Sequence, residues 1–227
     1  MTALLDGIYE GDMTVGELLG KGNFGIGTFD GLDGEMVIVD GVCYQVRHDG
    51  TARRADLETC SPYAVVTNFV PRIRRRAPEN IVRSELSAFI DGMTPSENYM
   101  YAVRIAGRFS SVRTRTVVKQ EPPYRPMVEA TDDDAEQVFE DVTGVIAGFR
   151  TPIYEKGISV PGCHVHFIDD DRTVGGHVLD FTLAEGKIEL CPGTDLELRL
   201  PLDPGFGAAN LDPEDLDGQL HKTEVKG

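Results

Sequence analysis

The feature that most restricts the fold is an Asp-Gly pair that recurs in the N-terminal third of the chain, as Asp33-Gly34, Asp40-Gly41 and Asp49-Gly50. Asp-Gly is favoured at tight hairpin turns because these residues tolerate the positive φ angles that such turns require. The pairs separate two short apolar runs, MVIV (36–39) and VCYQV (42–46). The spacing therefore predicts successive antiparallel strands, a β-meander.

Strand patterns continue through most of the chain, and helices are few. A capping box at Thr14 and Glu17 predicts one short helix, which Gly20 and Gly22 end. Residues 79–90 place their apolar side chains on one helical stripe and predict a second helix. Further runs with alternating or clustered apolar residues are predicted to be strands, namely 61–70, 99–107, 110–118, 139–149, 162–168, 177–184 and 195–202.

The strand pattern is interrupted by EPPYRP (121–126) and by the acidic run TDDDAEQ (131–137). We place a domain boundary here, between a mixed β-sheet domain with short helices (1–125) and a β-rich domain (126–227). The polar tail from Pro204 onwards is predicted to be partly mobile. The predicted class is α+β, strand-rich, with two mixed or antiparallel β-sheet domains and few helices.

The charge balance restricts the partners. The chain has 22 basic and 38 acidic residues, a formal net charge of −16, which repels phosphate backbones and argues against nucleic acid as a partner. The basic cluster RIRRR (72–76) is interpreted as a solvated or ion-paired patch. No apolar run is long enough to span a membrane, and the first residues lack the pattern of a signal peptide. The predicted location is therefore the cytoplasm, where the four cysteines are expected to be reduced.

Three of the five histidines lie in one stretch, GCHVHFIDDDRTVGGHV (162–178). Residues i and i+2 of a strand point to the same face, so His164 and His166 project together while Cys163 faces the other way. If the chain returns as a neighbouring antiparallel strand, His177 lies beside that pair. Three imidazoles from two strands are the ligand set of an open metal site, for which zinc is the default ion among Zn, Fe, Ni and Cu. The alternative is an edge strand that happens to be rich in histidine.

Outside the histidine stretch, few residues are candidates for a catalytic or binding role. Arg113 and Arg115 lie on one face of the 110–118 run, and at least one of them is expected to face solvent. Glu35 follows the first Asp-Gly turn, where it is either a site residue or an exposed strand end. The glycine-rich GNFGIGT (22–28) lacks the GK[ST] ending of a phosphate-binding loop, so close strand packing explains its glycines better. These residues alone indicate a metal-dependent enzyme that acts on a small polar or anionic molecule.

Longer segments resemble the alpha-acetolactate decarboxylase family, over about residues 2–212. The segments that carry the resemblance are 14–50, 98–126, 144–181 and 198–201, which include LDGE, VRTRT and the HVH…GGH element. The resemblance implies a zinc-dependent enzyme that converts 2-acetolactate to acetoin and carbon dioxide. It also implies a metal-stabilised enediolate, protonated on one face, and a homodimer, for which the apolar N-terminal segment is the predicted interface.

The resemblance further implies which residues form the site. His164, His166 and His177 are the zinc ligands. Glu35, of LDGE, and Arg115, the second arginine of VRTRT, are the catalytic candidates. Arg115 holds the carboxylate or the developing oxyanion, and the proton donor is Glu35, Arg115 or a glutamate of the tail. The remaining implied residues are Thr28, of GTF, near the substrate, and a C-terminal glutamate near the metal, for which Glu224 is the best candidate and Glu214 the alternative.

Two other functions compete with this reading. A cupin-like oxygenase also uses a pair of histidines one residue apart, but it adds a Glu soon after them, whereas Phe167, Ile168 and three Asp follow here. A non-catalytic module with a structural zinc would need four protein ligands, and the nearby Cys163 faces away. Asp169, Asp170 and Asp171 are interpreted as residues of the turn or as supports for the ligands.

Overall fold

The strands predicted from the Asp-Gly turns are present. The computed structural model describes residues 1–131 and 135–224. Asp40 and Gly41 have φ angles of 52° and 78°, and they join two antiparallel strands as predicted. The strands of the chain are β1 (Met13–Thr14), β2 (Phe24–Thr28), β3 (Glu35–Val39), β4 (Val42–Val46), β5 (Ala52–Arg54), β6 (Cys60–Ser61), β7 (Ala64–Thr67), β8 (Ile73–Arg76), β9 (Ile81–Val82), β10 (Met100–Thr116), β11 (Ala135–Thr151), β12 (Gly162–Asp169) and β13 (Gly175–Gly193).

Short helices connect or cover these strands. The capping box of α2 is formed as predicted, since the Glu17 amide donates to Thr14 and the Glu17 carboxylate accepts the Thr14 amide. Among the described residues, short 3-10 turns lie at Asp30–Leu32 and Ile153–Glu155. The helices are α1 (Thr2–Leu5), α2 (Val15–Lys21), α3 (Arg83–Met93), α4 (Met127–Ala130), α5 (Pro204–Ala208) and α6 (Leu216–Glu224).

Two antiparallel sheets make up the framework. One has five strands in the order β5-β4-β3-β2-β7, and the other has six, with the path β10-β11-β12-β13-β8 and with β9 attached to β13. β10 also pairs with β13, so β10 to β13 form a closed ring of pairings. A small ribbon joins β1 and β6. The predicted strand-rich α+β class is therefore confirmed.

β10 differs from the prediction of two strands at 99–107 and 110–118. It is one strand of 17 residues, with register shifts against β13 on either side of Phe109. Gly107 looks like a break in the sequence, but it marks a close crossing, since a Cβ there would lie 2.1 Å from the Glu185 carbonyl oxygen. β10 precedes the predicted boundary at residue 126 and pairs with strands that follow it. The division into two domains stays a prediction.

Three further predictions need correction or completion. Residues 195–202 are not a strand, because they have no strand partner among the described residues. The helix expected at 79–90 begins at Arg83, because Ile81 and Val82 pair with β13 instead. The tail, expected to be partly mobile, contains α5 and α6. Residues 132–134 of the acidic run, together with 225–227, lie outside the described part of the chain.

The two sheets pack against each other, and this packing places β12, which carries His164 and His166, against β3. One apolar cluster fills the space between them and includes Phe24 and Val37 from one sheet and Phe149 and Ile168 from the other. The opposite face of the large sheet packs against α3. A third cluster joins α1, α4 and α6 over one end of the structure. Among the described helices, none has the length and apolar character needed to cross a membrane.

Candidate metal centre

A hairpin of β12 and β13 brings the three histidines together. His166 lies opposite His177 in the ladder, as the sequence predicts for a returning strand. The buried Asp169 carboxylate closes the turn by accepting the amides of Thr173 and Val174, at 2.7 and 3.0 Å. The centroids of the three imidazole rings are therefore only 5.1–5.3 Å apart.

The imidazoles converge inside the protein. One ligand nitrogen can be chosen from each ring such that all three lie within 4.8 Å of one another. His164, His166 and His177 are 8%, 1% and 3% exposed, which excludes the alternative of a solvent-facing edge strand. Cys163 points to the opposite face, as predicted, where the Ser87 hydroxyl donates to its sulfur. The thiol is therefore not a ligand of this cluster.

Hydrogen bonds orient two of the rings. The Nδ1 of His166 lies 2.9 Å from the Met36 carbonyl oxygen, which can only accept, so Nδ1 carries the proton and Nε2 keeps its lone pair. The Nε2 of His177 lies 3.3 Å from the Glu224 carbonyl oxygen, which leaves the lone pair on Nδ1. Backbone carbonyls commonly orient metal-binding histidines in this way.

Burial keeps all three rings neutral near pH 7. The pKa of His166 is lowered to about 4, mainly by loss of hydration and to a smaller extent by the Arg115 charge, while the hydrogen bond to Met36 opposes both effects. The pKa values of His164 and His177 lie well below 6.5, first because of burial and then because of repulsion by neighbouring rings and Arg115. Neutral imidazole is the form that binds metals.

Two buried carboxylates adjoin the histidines. Glu35 is not an exposed strand end, since its Oε2 lies 3.5 Å from His166 Nε2. Glu224 approaches from α6, with its Oε2 3.4 Å from His164 Nε2 and 4.0 Å from His177 Nδ1. The alternative, Glu214, lies exposed outside the cluster. The structure therefore brings Glu35 and Glu224, from distant parts of the chain, to the three histidines.

Arg115 and Thr28 also reach this region. Arg115 lies opposite His177 in the ladder and is 3% exposed. Arg113, two residues earlier, faces solvent and pairs with Glu136 at 3.2 Å. The register against β13 shifts between Arg113 and Thr114, so Arg113 lies opposite Asp180 whereas Arg115 lies opposite His177. Thr28 lies opposite Glu35, and its hydroxyl donates to the Gly34 carbonyl at 2.8 Å.

The histidines and carboxylates line a pocket, and one wall of this pocket is apolar. This wall was not predicted from the sequence. The polar side of the pocket is formed by Glu35, Arg115, Glu224 and two of the histidines. The apolar side comes from segments that are far apart in the chain, and no motif connects them. The residues of this wall are Leu4, Leu32, Tyr63, Val117 and Met127.

The donor set fits a metal ion. The Nε2 atoms of His164 and His166 are fully buried and have no hydrogen-bond partner among the described residues. Such a buried acceptor is costly unless another ligand satisfies it. Neutral imidazoles with carboxylates beside them are suitable ligands for a divalent transition metal. These residues can therefore hold a metal ion.

Known proteins are similar to nearly the whole length of this chain. A model of the family described as alpha-acetolactate decarboxylase matches residues 1–213. The alpha-acetolactate decarboxylase of Klebsiella aerogenes is 45% identical over 224 residues, which cover 99% of this chain and 86% of that protein. The protein of the same name from Bacillus subtilis strain 168 is 43% identical and is covered to 88%.

Solved structures are similar over the same length. The crystal structure of the Bacillus subtilis strain 168 alpha-acetolactate decarboxylase superposes with a TM-score of 0.97 and 43% identity, covering 99% of this chain and 96% of that one. A Staphylococcus aureus protein described as similar to alpha-acetolactate decarboxylase gives 0.94 at 32% identity, with 99% and 97% covered. The chain therefore belongs to the alpha-acetolactate decarboxylase family.

Proposed function

We propose that the protein is a zinc-dependent decarboxylase that converts 2-acetolactate to acetoin and carbon dioxide. The observation that carries this proposal is the cluster of three buried, neutral imidazoles with two carboxylates and a buried arginine at one pocket. The cytoplasmic location and the homodimer stay predictions.

His164, His166 and His177 would hold the zinc, with Glu224 as a further ligand from α6. A bound zinc ion supplies Lewis acidity toward the hydroxyl and ketone oxygens of the substrate. The donors would be imidazole and carboxylate, as in catalytic zinc sites, whereas closed structural zinc sites are built mainly from Cys.

Arg115 would bind the carboxylate that leaves as carbon dioxide. The planar guanidinium offers parallel N–H donors that match a carboxylate, and its burial strengthens the attraction because little water screens it. The same group remains charged throughout turnover, so it can stabilise negative charge that develops on the neighbouring oxygen atoms. Thr28, which bonds to Gly34, would keep the Glu35 end of the pocket in place.

Glu35 and Glu224 are the candidates for proton transfer. Glu35 Oε2 adjoins His166, whereas Glu224 Oε2 adjoins His164, so the two carboxylates border different histidines. A proton held at one of these oxygens would reach the product carbon from one side, which would yield a single enantiomer. The apolar wall with Leu32, Val117 and Met127 would take the methyl groups of the substrate and exclude water.

Substitution of a histidine tests this function. His164→Ala should remove both the bound metal and the formation of acetoin, because it deletes a buried ligand. His48→Ala is the matched control, since His48 is exposed and should leave both unchanged. Retention of full turnover by His164→Ala would contradict the proposal. Bound iron with oxygen consumption would favour the oxygenase, and bound zinc without turnover would favour the non-catalytic module.

A further inference from the structure

One side of α3 is polar, although the helix packs against the large sheet. Leu86 and Ile90 are fully buried in the apolar cluster that α3 forms with this sheet. Arg83, Ser87 and Asp91 follow one another at intervals of four residues, so they form a row along one side of the helix. We call these three residues the polar row of α3. All of them contact the same short part of the sheet, where β12 begins beside β11.

The polar row binds Cys163 and the residue opposite it. The Arg83 Nη2 atom donates to the Cys163 carbonyl oxygen at 2.6 Å, and the Ser87 hydroxyl donates to the Cys163 sulfur at 3.4 Å. The Asp91 carboxylate accepts two hydrogen bonds from the Arg150 guanidinium, at 3.0 and 3.1 Å. Arg150 lies opposite Cys163 in the ladder of β11 and β12. The helix therefore holds this point of the sheet largely by charge-assisted hydrogen bonds, which are stronger than neutral ones.

This point of the sheet lies next to a histidine of the metal centre. The carbonyl group of Cys163 and the amide nitrogen of His164 belong to one planar peptide unit. A hydrogen bond that fixes the carbonyl therefore also fixes the direction of the chain at the His164 Cα. β12 pairs with β13 through residues 166–168, so His164 lies beyond the end of that ladder. α3 thus supplies beside His164 a restraint that β13 supplies beside His166.

The direction of the His164 ring depends on this backbone restraint. The carbonyl oxygens of Met36 and Glu224 orient the rings of His166 and His177 directly. Among the residues that the structure describes, no backbone carbonyl bonds to the His164 ring in this way, and its buried Nε2 has no hydrogen-bond partner. The His164 ring is therefore directed by its own backbone, and Arg83 holds that backbone.

We propose that Arg83 is a positioning residue of the metal centre, which keeps His164 in the orientation that binds the metal ion. Ser87 and Asp91 secure the same part of the sheet. This inference rests on the proposed zinc site, and it assigns Arg83 no contact with the metal or the substrate. Loss of a residue that orients a metal ligand weakens metal binding by roughly 10- to 100-fold.

Zinc binding by variants of Arg83 tests this inference. Arg83→Met removes the donor but keeps a long side chain, so the dissociation constant for zinc in equilibrium dialysis should rise roughly 10- to 100-fold. Arg83→Lys keeps one donor for the Cys163 carbonyl and should regain most of that affinity. Arg53→Met is the matched control, because Arg53 is exposed on β5 in the other sheet and should leave zinc binding unchanged.

The visible absorption spectrum of the cobalt-loaded protein separates positioning from a loss of stability. Cobalt(II) absorption reports the arrangement of the ligands, so Arg83→Met should change the spectrum, whereas Arg83→Lys and Arg53→Met should retain it. Urea unfolding of the metal-free variants measures stability separately. Asp91→Asn is a second variant, for use if Arg83→Met does not fold. It weakens the hold on Arg150 and should raise the dissociation constant for zinc several-fold.

The outcomes distinguish this inference from the proposed function. If the unaltered protein binds zinc and Arg83→Met or, in its place, Asp91→Asn binds it as tightly, the inference is overturned and the proposed function stands. Equal losses of affinity in Arg83→Met and Arg83→Lys would also overturn the inference, because the donor would then not matter. An unaltered protein that binds no zinc would overturn both.

Discussion

The buried histidines should bind zinc almost as well at pH 5.5 as at pH 7.5. A histidine with an ordinary pKa of 6.5 is about 10% neutral at pH 5.5, so three such ligands would weaken binding by roughly 1000-fold. His166 has a pKa of about 4, and it is therefore about 97% neutral at pH 5.5. His164 and His177 are lowered in the same direction. Proton competition at the imidazoles should therefore weaken binding only a few-fold.

Equilibrium dialysis measures this directly. Metal-free protein is dialysed against a series of zinc concentrations at both pH values, and the bound zinc is counted by mass spectrometry. A peptide with three histidines in a flexible chain is the control, because its imidazoles are hydrated and should lose the metal at the lower pH. A loss of roughly 1000-fold by the protein would refute the argument that burial keeps the ligands neutral.

Three further predictions follow from single contacts. Arg115→Lys should keep the metal but lower kcat/KM for 2-acetolactate about 100-fold in a steady-state assay, because Lys lacks the planar guanidinium that can donate two parallel hydrogen bonds to a carboxylate. The free energy of unfolding of the metal-free protein, measured by urea titration, should fall as pH falls from 6.5 toward 4. Over this range His166 binds a proton in the unfolded chain but stays neutral in the folded one. His166→Asn should remove about 3 kcal/mol of this pH dependence. Gly27→Ala should lower the free energy of unfolding by about 2 kcal/mol, because the added Cβ would lie 2.3 Å from the Tyr63 carbonyl oxygen. Gly20→Ala is the control and should not lower the free energy of unfolding, because no atom lies within 4 Å of the added Cβ.

Local features could be predicted from the sequence because short-range geometry determines them. The positive φ angles of Asp40 and Gly41, the capping box at Thr14 and the common face of His164 and His166 depend only on neighbours in the chain. The place of His177 needed one more assumption, that the chain turns back directly, and Asp169 makes that turn. These predictions were accurate for a physical reason: each involves few residues and one well-defined backbone conformation.

Long-range pairing was beyond such reasoning. β10 was predicted as two strands, 99–107 and 110–118, and only the close approach of Gly107 to β13 shows why one strand runs through both. The alternation in 195–202 predicts a strand, but no neighbouring strand is available, so the leucines stay exposed. Glu224 reaches the histidines only because α6 packs back over the pocket, and its position was inferred from a resemblance. The apolar wall has no local signal at all.

The proposed decarboxylation requires a metal ion held by His164, His166 and His177. The direct measurement is the release of carbon dioxide and acetoin from 2-acetolactate by purified protein, before and after the metal is removed by chelation. We expect turnover to stop in the stripped protein and to return when zinc is added, with zinc recovered at one ion per active site. Unchanged turnover by protein verified to be free of metal would contradict the account.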